Sequence, residues 1–234
     1  MQLLRSMLFT ALFFVITAIY AVVVLCLCWL PTFKLYRVAH SWGSVNLWLL
    51  QALCGLSYRV VGRENLPSGA HVAMWKHSSS WETIAQAVIF PPQAWVLKRE
   101  LMWIPLVGWA VYFLKPIAID RGAGTAAVNQ VVARGKLRLA QGLWILIFPE
   151  GTRVAAGESK KYGVSGALLA SRAGCKVIPV AHNAGTFWPR RGWIKKPGVI
   201  EVRIGPPIEA KGRNPRAINE DVRAWIDTEL KSLP

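Results

Sequence analysis

The chain begins with one long apolar run and continues with shorter apolar runs separated by polar turns. Residues 7–30 contain no charged side chain. As a helix they would extend about 36 Å, enough to cross a hydrocarbon core of about 30 Å with some tilt. We therefore predict a retained membrane helix over Met7–Leu30. The alternative, a cleaved signal peptide, is disfavoured because the run is too long and no small-residue cleavage pattern precedes Pro31.

A second apolar stretch, Val45–Leu56, is too short to span a bilayer comfortably. The wider segment 34–56 mixes Tyr36, Trp42 and Trp48 with basic residues, as a helix lying at the membrane interface does. This pattern predicts a second apolar or interfacial helix, with half of a re-entrant pair or a buried core helix as alternatives. We assign residues 1–57 to an N-terminal anchoring unit that holds both helices.

From residue 58 onward, short β-branched runs alternate with longer runs of helical periodicity. The predicted strands are Tyr58–Val61, Val72–Trp75, Ala94–Leu97, Pro116–Ile119, Trp144–Phe148, Lys176–Val180 and Val199–Ile204. The predicted helices are Trp81–Phe90, Pro105–Leu114, Thr125–Gln141, Val164–Ala173 and Pro215–Leu233. Such alternation predicts an α/β fold with a mostly parallel sheet covered by helices, over residues 58–234.

The composition points to a membrane surface. Hydrophobic residues make up 53% of the chain, charged residues 17%, and there are twelve tryptophans. The net charge is +16, nearly all of it after residue 33, which favours an anionic bilayer or nucleic acid as partner. The apolar N-terminus favours the bilayer, and no nucleic-acid-binding motif is present. Lys34 and Arg37 follow the first helix directly, so the remainder is expected on the cytoplasmic side.

The first polar cluster, 76–82, follows the strand at 72–75. On a regular helix His77 and Glu82 would point about 140° apart and could not meet. They can meet if His77 stands in the turn and Glu82 in the first helical turn, where the carboxylate would orient the ring as a general base. Alternatively Ser79 and Glu82 form a capping box and His77 is an ordinary loop residue.

Three more clusters follow strand ends or lie within a strand. Phe148–Arg153 combines a glycine, which allows close backbone approach, with an arginine suited to phosphate, although Pro-Glu-Gly is also ordinary turn chemistry. Lys98–Leu101 precedes a tryptophan-rich segment and could be part of an amphipathic surface helix. Val177–Val180 is a buried strand whose Pro179 suggests a bend or an edge.

Taken in order, these clusters resemble the four motifs of the glycerolipid acyltransferase family, most closely its 1-acylglycerol-3-phosphate acyltransferases. The matches are His77 through Glu82, Lys98–Gly108, Phe148–Arg153 and Val177–Val180. Asp120-Arg121 also resembles a family element. Two positions depart from the usual pattern, because the family most often has aspartate where Glu82 stands and asparagine where Lys76 stands.

The resemblance implies transfer of an acyl group from acyl-CoA or acyl-carrier protein to the sn-2 hydroxyl of 1-acylglycerol-3-phosphate (lysophosphatidate), giving phosphatidic acid. It implies His77 as base and Glu82 as its partner, without metal, cofactor or acyl-enzyme. The implied substrate-binding residues are Lys98, Arg121, Glu150, Gly151, Thr152 and Arg153, with Glu150 organising its loop. Backbone N–H groups near 78–81 are candidate oxyanion donors.

Three other functions stay open at this point. The acceptor could be a lyso-lipid with another head group. A serine hydrolase is suggested by Ser165, which lies in an incomplete G-x-S-x-G pattern, and the only histidine that follows it is His182. A membrane-anchored nucleic-acid binder is suggested by charge alone. For the acyltransferase we expect the bacterial inner (cytoplasmic) membrane, with the active site facing the cytoplasm.

Overall fold

A computed structural model describes residues 1–155, 157–158 and 160–233. Seven strands form one sheet in the order β1-β7-β6-β2-β5-β3-β4. The strands are β1 (Leu56–Val61), β2 (Val72–Trp75), β3 (Gln93–Lys98), β4 (Ile117–Ile119), β5 (Trp144–Ile147), β6 (Val177–His182) and β7 (Gly198–Ile204). In the described part of the chain one strand pairing, β6 with β7, is antiparallel, and the other five are parallel. The mostly parallel α/β sheet is confirmed.

Helices cover both faces of the sheet. They are α1 (Gln2–Cys26), α2 (Thr32–Cys54), α3 (Trp81–Ile89), α4 (Val107–Phe113), α5 (Thr125–Ala140), α6 (Ser165–Ala173), α7 (Ala184–Phe187) and α8 (Pro215–Ser232). One core lies between the sheet and α2 and α3, and the other lies between the sheet and α5, α6 and α8. At the start of α8, Asn214 Oδ1 accepts from Arg216 N at 2.9 Å, and Pro215 occupies the first turn.

The sheet order brings the polar clusters together. β2 lies between β5 and β6 and runs parallel to both, so all three strands end at the same edge. The loops that leave this edge begin at Lys76, Phe148 and Asn183. In an open α/β sheet, ligands bind outside the carboxyl ends of the strands.

Pro179 lies inside the sheet, so the predicted edge position is wrong. β6 has β2 on one side and β7 on the other. A proline nitrogen donates no hydrogen bond. Pro179 faces the β7 side at the point where β7 has already ended, and its carbonyl accepts from Gly205 N at 2.9 Å. The interior strand β6 tolerates a proline there because no residue of β7 lies opposite to accept a hydrogen bond from a backbone N–H.

The bounds of the two N-terminal helices differ from those that the apolar runs predicted. α1 begins at Gln2 and ends at Cys26, whereas α2 extends from Thr32 to Cys54 and buries one face against the domain. Of the helices in the described residues, α1 alone is long and apolar enough to cross a membrane. Both ends of α1 contact the domain, because Ser6 Oγ accepts from Lys195 N at 2.9 Å and Val24 packs near Ala110. The boundary between residues 57 and 58 stays a prediction.

Candidate active site

His77 and Glu82 meet as the sequence predicted. β2 ends at Trp75 and α3 begins at Trp81, which leaves His77 in the connecting loop and Glu82 in the first helical turn. His77 Nδ1 lies 2.9 Å from Glu82 Oε1. The Glu82 carboxylate is fully buried, whereas the His77 ring is 9% exposed and lines a cavity. The loop geometry lets the two side chains face each other, although a regular helix would separate them.

Glu82 also accepts two backbone hydrogen bonds at the start of α3. Its Oε1 takes Ser78 N at 2.9 Å and Ser79 N at 2.8 Å. One carboxylate oxygen therefore contacts both His77 and the start of α3, and of the predicted capping box only the bond from Ser79 N to Glu82 is present. Trp81 N is also engaged, since it donates to Ser79 Oγ at 3.1 Å. Three of the backbone donors that we expected for an oxyanion are thus already used within the protein.

The electrostatics keep Glu82 ionised. Burial would raise the pKa of Glu82, but the hydrogen bond from His77, the electrostatic influence of the nearby His182 and His77 rings and the Ser79 N–H outweigh it, and the pKa is lowered. An ionised carboxylate can only accept, so His77 Nδ1 is the protonated nitrogen, and in the neutral imidazole the lone pair is left on Nε2. The His77 ring stacks on Phe148 at a centroid distance of 3.9 Å. The ring is therefore fixed in both tautomer and orientation.

Glu150 fastens the 148–153 loop to the histidine. Its carboxylate pairs with Lys76 Nζ and accepts from His77 N at 2.7 Å, and all of these groups are buried. Val154 N donates to His77 O at 2.7 Å. The buried carboxylate of Glu150 explains how a lysine can be buried at position 76, because it pairs with the lysine's charge. Glu150 does not line the cavity. Its geometry agrees with the expected loop-organising role.

A cavity of about 490 Å³ opens at His77. Four of the predicted substrate-binding residues line it: Lys98, Arg121, Thr152 and Arg153. The guanidinium Nε of Arg153 is buried and has no hydrogen-bond partner among the described residues. An unpaired buried donor is costly, so this position favours an anionic ligand.

Gly151 does not face the cavity. It occupies an exposed turn with φ of +68°, a conformation that suits glycine, and its carbonyl accepts from Arg121 Nη1 at 2.5 Å. The glycine therefore shapes the loop and holds Arg121 in place.

The structure adds residues that the sequence analysis missed. Arg190 also lines the cavity. The rest of the wall is mostly apolar and includes side chains from α1, α2 and α4: Ala21, Val24, Trp42, Ala110 and Val111. Arg190 and Arg191 are not part of any recognisable motif, so the sequence does not mark Arg190 as a binding residue. Hydrophobic periodicity predicts helices but does not show which of them line the same cavity.

The serine hydrolase arrangement does not form. Ser165 begins α6, whereas His182 is buried at the end of β6 and hydrogen-bonds to Lys76 O and Ala184 N. Both ring nitrogens of His182 are thus engaged by the backbone. The residues that suggested a hydrolase have separate structural surroundings.

Known proteins resemble this chain in sequence and in fold. A sequence model of the Acyltransferase family matches residues 57–183. The chain is 44% identical to the 1-acyl-sn-glycerol-3-phosphate acyltransferase of Pseudomonas aeruginosa, across 87% of this chain and 81% of that protein. It is 27% identical to the 1-acyl-sn-glycerol-3-phosphate acyltransferase alpha of Mus musculus, across 84% of this chain and 70% of that protein.

A solved structure shares the fold. The crystal structure of the 1-acyl-sn-glycerophosphate (LPA) acyltransferase PlsC from Thermotoga maritima superposes with a TM-score of 0.82 at 22% identity, covering 99% of this chain and 97% of that one. The family match covers more than half of the chain and includes His77, Glu82 and the 148–153 loop. From its sequence and its fold, the chain belongs to the Acyltransferase family.

Proposed function

We propose that this protein acylates the sn-2 hydroxyl of 1-acylglycerol-3-phosphate to form phosphatidic acid. The observation that carries the proposal is the contact between His77 and Glu82 beside a cavity lined by apolar side chains and by a basic cluster, Lys98, Arg121, Arg153 and Arg190. An acyl-bearing, phosphate-bearing acceptor needs both kinds of surface on either side of its reacting hydroxyl. The relatives named above support this acceptor.

The reaction follows from the positions of the protons. His77 Nε2 takes the hydroxyl proton as the acceptor oxygen attacks the thioester carbonyl, and Glu82 stabilises the imidazolium that forms. The tetrahedral intermediate then expels the thiolate, which takes the proton from His77. An ester and a free thiol result, and His77 returns to its starting state. The protein forms no covalent bond to the acyl group.

We propose that the basic side chains lining the cavity hold the acceptor phosphate. Arg153 presents a buried Nε that has no hydrogen-bond partner among the residues the structure describes, and a guanidinium can bind two phosphate oxygens at once. Lys98, the last residue of β3, and Arg121, in the loop after β4, add positive charge. Thr152 supplies a hydroxyl, whereas Glu150 and Gly151 act by shaping the loop.

The proposed donor is acyl-CoA or acyl-carrier protein, and the proposed mechanism uses neither a metal nor a cofactor. The proposal is tested by incubating purified protein with each donor and a panel of lyso-lipids that share one acyl chain and differ in head group. We expect diacyl product with lysophosphatidate and much less with zwitterionic head groups. A preference for another head group would replace lysophosphatidate as the acceptor and leave the acyl transfer intact.

The protein associates with membranes, and we propose the bacterial inner membrane with the active site on the cytoplasmic side. Apolar side chains on α1 face outward, among them Leu4, Phe14 and Ile19. The segment 101–112 adds exposed Trp103, Trp109 and Tyr112 beside the cavity. Aromatic side chains prefer the interface between lipid head groups and acyl chains. The cavity wall is thus bounded on the outside by two surfaces suited to lipid.

Replacing Trp103 and Trp109 together by alanine is expected to lower turnover of an acceptor embedded in anionic liposomes by roughly tenfold. Burial of one large apolar side chain contributes about 1.5–3 kcal/mol, and 1.4 kcal/mol corresponds to a factor of ten. Turnover of a short-chain acceptor dissolved in water should change little. The control is Leu137→Ala, an exposed apolar residue on α5 outside the cavity. An equal loss for both acceptors would show that the tryptophans support folding instead.

Replacing Ser165 or Cys175 by alanine is expected to leave activity largely intact, because the proposed attack is direct. Burial raises the pKa of Cys175 to about 11, so its thiol is protonated and a poor nucleophile near neutral pH. Incubation with radiolabelled acyl donor alone should leave the protein unlabelled. A labelled protein that loses its label when lyso-lipid is added would contradict the direct mechanism.

A further inference from the structure

His182 is a second histidine beside the catalytic pair. It is the last residue of β6, and its side chain is fully buried. The rings of Trp75 and Trp81 lie with their centroids 6.1 Å from it. A titratable ring in an apolar core is costly unless its polar atoms are bonded. The hydrogen bonds that His182 makes therefore indicate its role.

Its two hydrogen bonds define one tautomer. Nδ1 lies 3.2 Å from Ala184 N, which can only donate, so Nδ1 is unprotonated. Nε2 carries the proton and donates to Lys76 O at 2.8 Å. Burial lowers the pKa of His182, although the charge of Glu82 opposes this, so the ring is neutral at pH 7. His182 is a fixed, uncharged hydrogen-bond donor.

The bond from His182 reaches the peptide group that precedes His77. The carbonyl of this group belongs to Lys76, and its N–H belongs to His77 and donates to Glu150 Oε2 at 2.7 Å. Because a peptide group is planar, bonds at both of its ends fix the orientation of the plane. The ring of His77 projects from that plane. His182 and Glu150 together therefore fix the backbone to which the ring of His77 is attached.

Glu82 has one carboxylate oxygen without a hydrogen bond. Oε1 accepts from His77 Nδ1 and from two backbone N–H groups, whereas Oε2 is buried and has no partner among the described residues. The His182 Nε2 atom lies 4.0 Å from Oε2. The positive end of an N–H dipole at this distance stabilises a buried negative charge.

We propose that His182 is a positioning residue for the His77–Glu82 pair. The neutral imidazole holds the 76–77 peptide group through Lys76 O and places its N–H near the unpaired oxygen of Glu82. His182 does not line the cavity, so it acts through these two residues and touches no substrate. The inference rests on the function proposed above, because it assigns His182 a part in the same reaction.

The test compares His182→Gln with His182→Asn. A glutamine amide nitrogen reaches as far as Nε2 and can donate to Lys76 O. An asparagine amide reaches only as far as Nδ1, so it can accept from Ala184 N and cannot contact Lys76 O. We expect His182→Asn to lower kcat by about 10- to 100-fold, since a misplacement of about 1 Å can cost 10²-fold. The KM values for both substrates should stay within about twofold, and His182→Gln should recover most of kcat.

A second readout is independent of turnover. The proton shared by His77 Nδ1 and Glu82 Oε1 should give a downfield NMR signal in wild type and in His182→Gln, and lose or shift it in His182→Asn. Wild-type kcat in both variants, or equal losses in both, would overturn the proposal. Failure of the wild-type protein to acylate any lyso-lipid would instead reject the proposed function, and the NMR comparison would still decide whether His182 orients the pair.

Discussion

Replacing His77 by alanine is expected to lower kcat by about 10²–10⁴-fold, the usual contribution of a general base. The reason is that Nε2 is the free lone pair that faces the cavity, while Nδ1 is held by Glu82 at 2.9 Å. Substrate binding should persist, because the basic cluster and the apolar wall are separate from the ring. The measurement is steady-state turnover of lysophosphatidate, with circular dichroism to confirm folding.

Three further variants make this result specific. His40→Ala carries the same substitution on the exposed side of α2, outside the cavity, and should keep wild-type turnover. Glu82→Gln should lose much of the activity, because an amide cannot stabilise the imidazolium as a carboxylate does. Glu82→Asp should retain part of it, because the family more often has aspartate there. Turnover close to wild type in His77→Ala would rule out His77 as the base.

The sequence predicted the strands and the contact between His77 and Glu82 because both depend on local patterns. β2 was predicted with its observed bounds, Val72–Trp75, because a short run of apolar residues is bounded by turns. The loop between β2 and α3 limits where His77 and Glu82 can point. The short segment 77–82 was therefore enough to predict that these two side chains can meet. The helix cap at Asn214 is equally local, and so is the bond from Ser79 N to Glu82 at the start of α3.

The remaining features depend on contacts between segments far apart in the chain. The pairing of Lys76 with Glu150 joins the loops after β2 and β5, which the sequence alone does not place side by side. The same holds for His182, whose hydrogen bond to Lys76 O requires β6 to be the other neighbour of β2. Residues 27–31, where α1 ends and α2 begins, are mostly apolar like the helices, so hydropathy did not show where α1 ends.

Replacing Arg153 by alanine is expected to lower kcat/KM for the acceptor by about ten- to a hundredfold. A charge-assisted hydrogen bond contributes roughly 1.5–3 kcal/mol, and 1.4 kcal/mol corresponds to a factor of ten. Arg153 lines the cavity together with His77, and its buried Nε lacks a partner that a phosphate oxygen would supply. The KM of the acyl donor should stay nearly constant, because the proposed contact is to the acceptor alone.

The comparison that isolates the phosphate contact uses Arg153→Lys and Arg172→Ala. Lysine keeps the charge but cannot form the two parallel hydrogen bonds of a guanidinium, so Arg153→Lys should fall between alanine and wild type. Arg172 is an exposed arginine on α6 outside the cavity, and its loss should leave both kinetic constants unchanged. An acceptor without phosphate, such as a monoacylglycerol, should be used equally by wild type and Arg153→Ala. If Arg153→Ala instead raised the KM of donor and acceptor alike, the side chain would support the 148–153 loop, and the phosphate site would have to be sought at Lys98, Arg121 and Arg190.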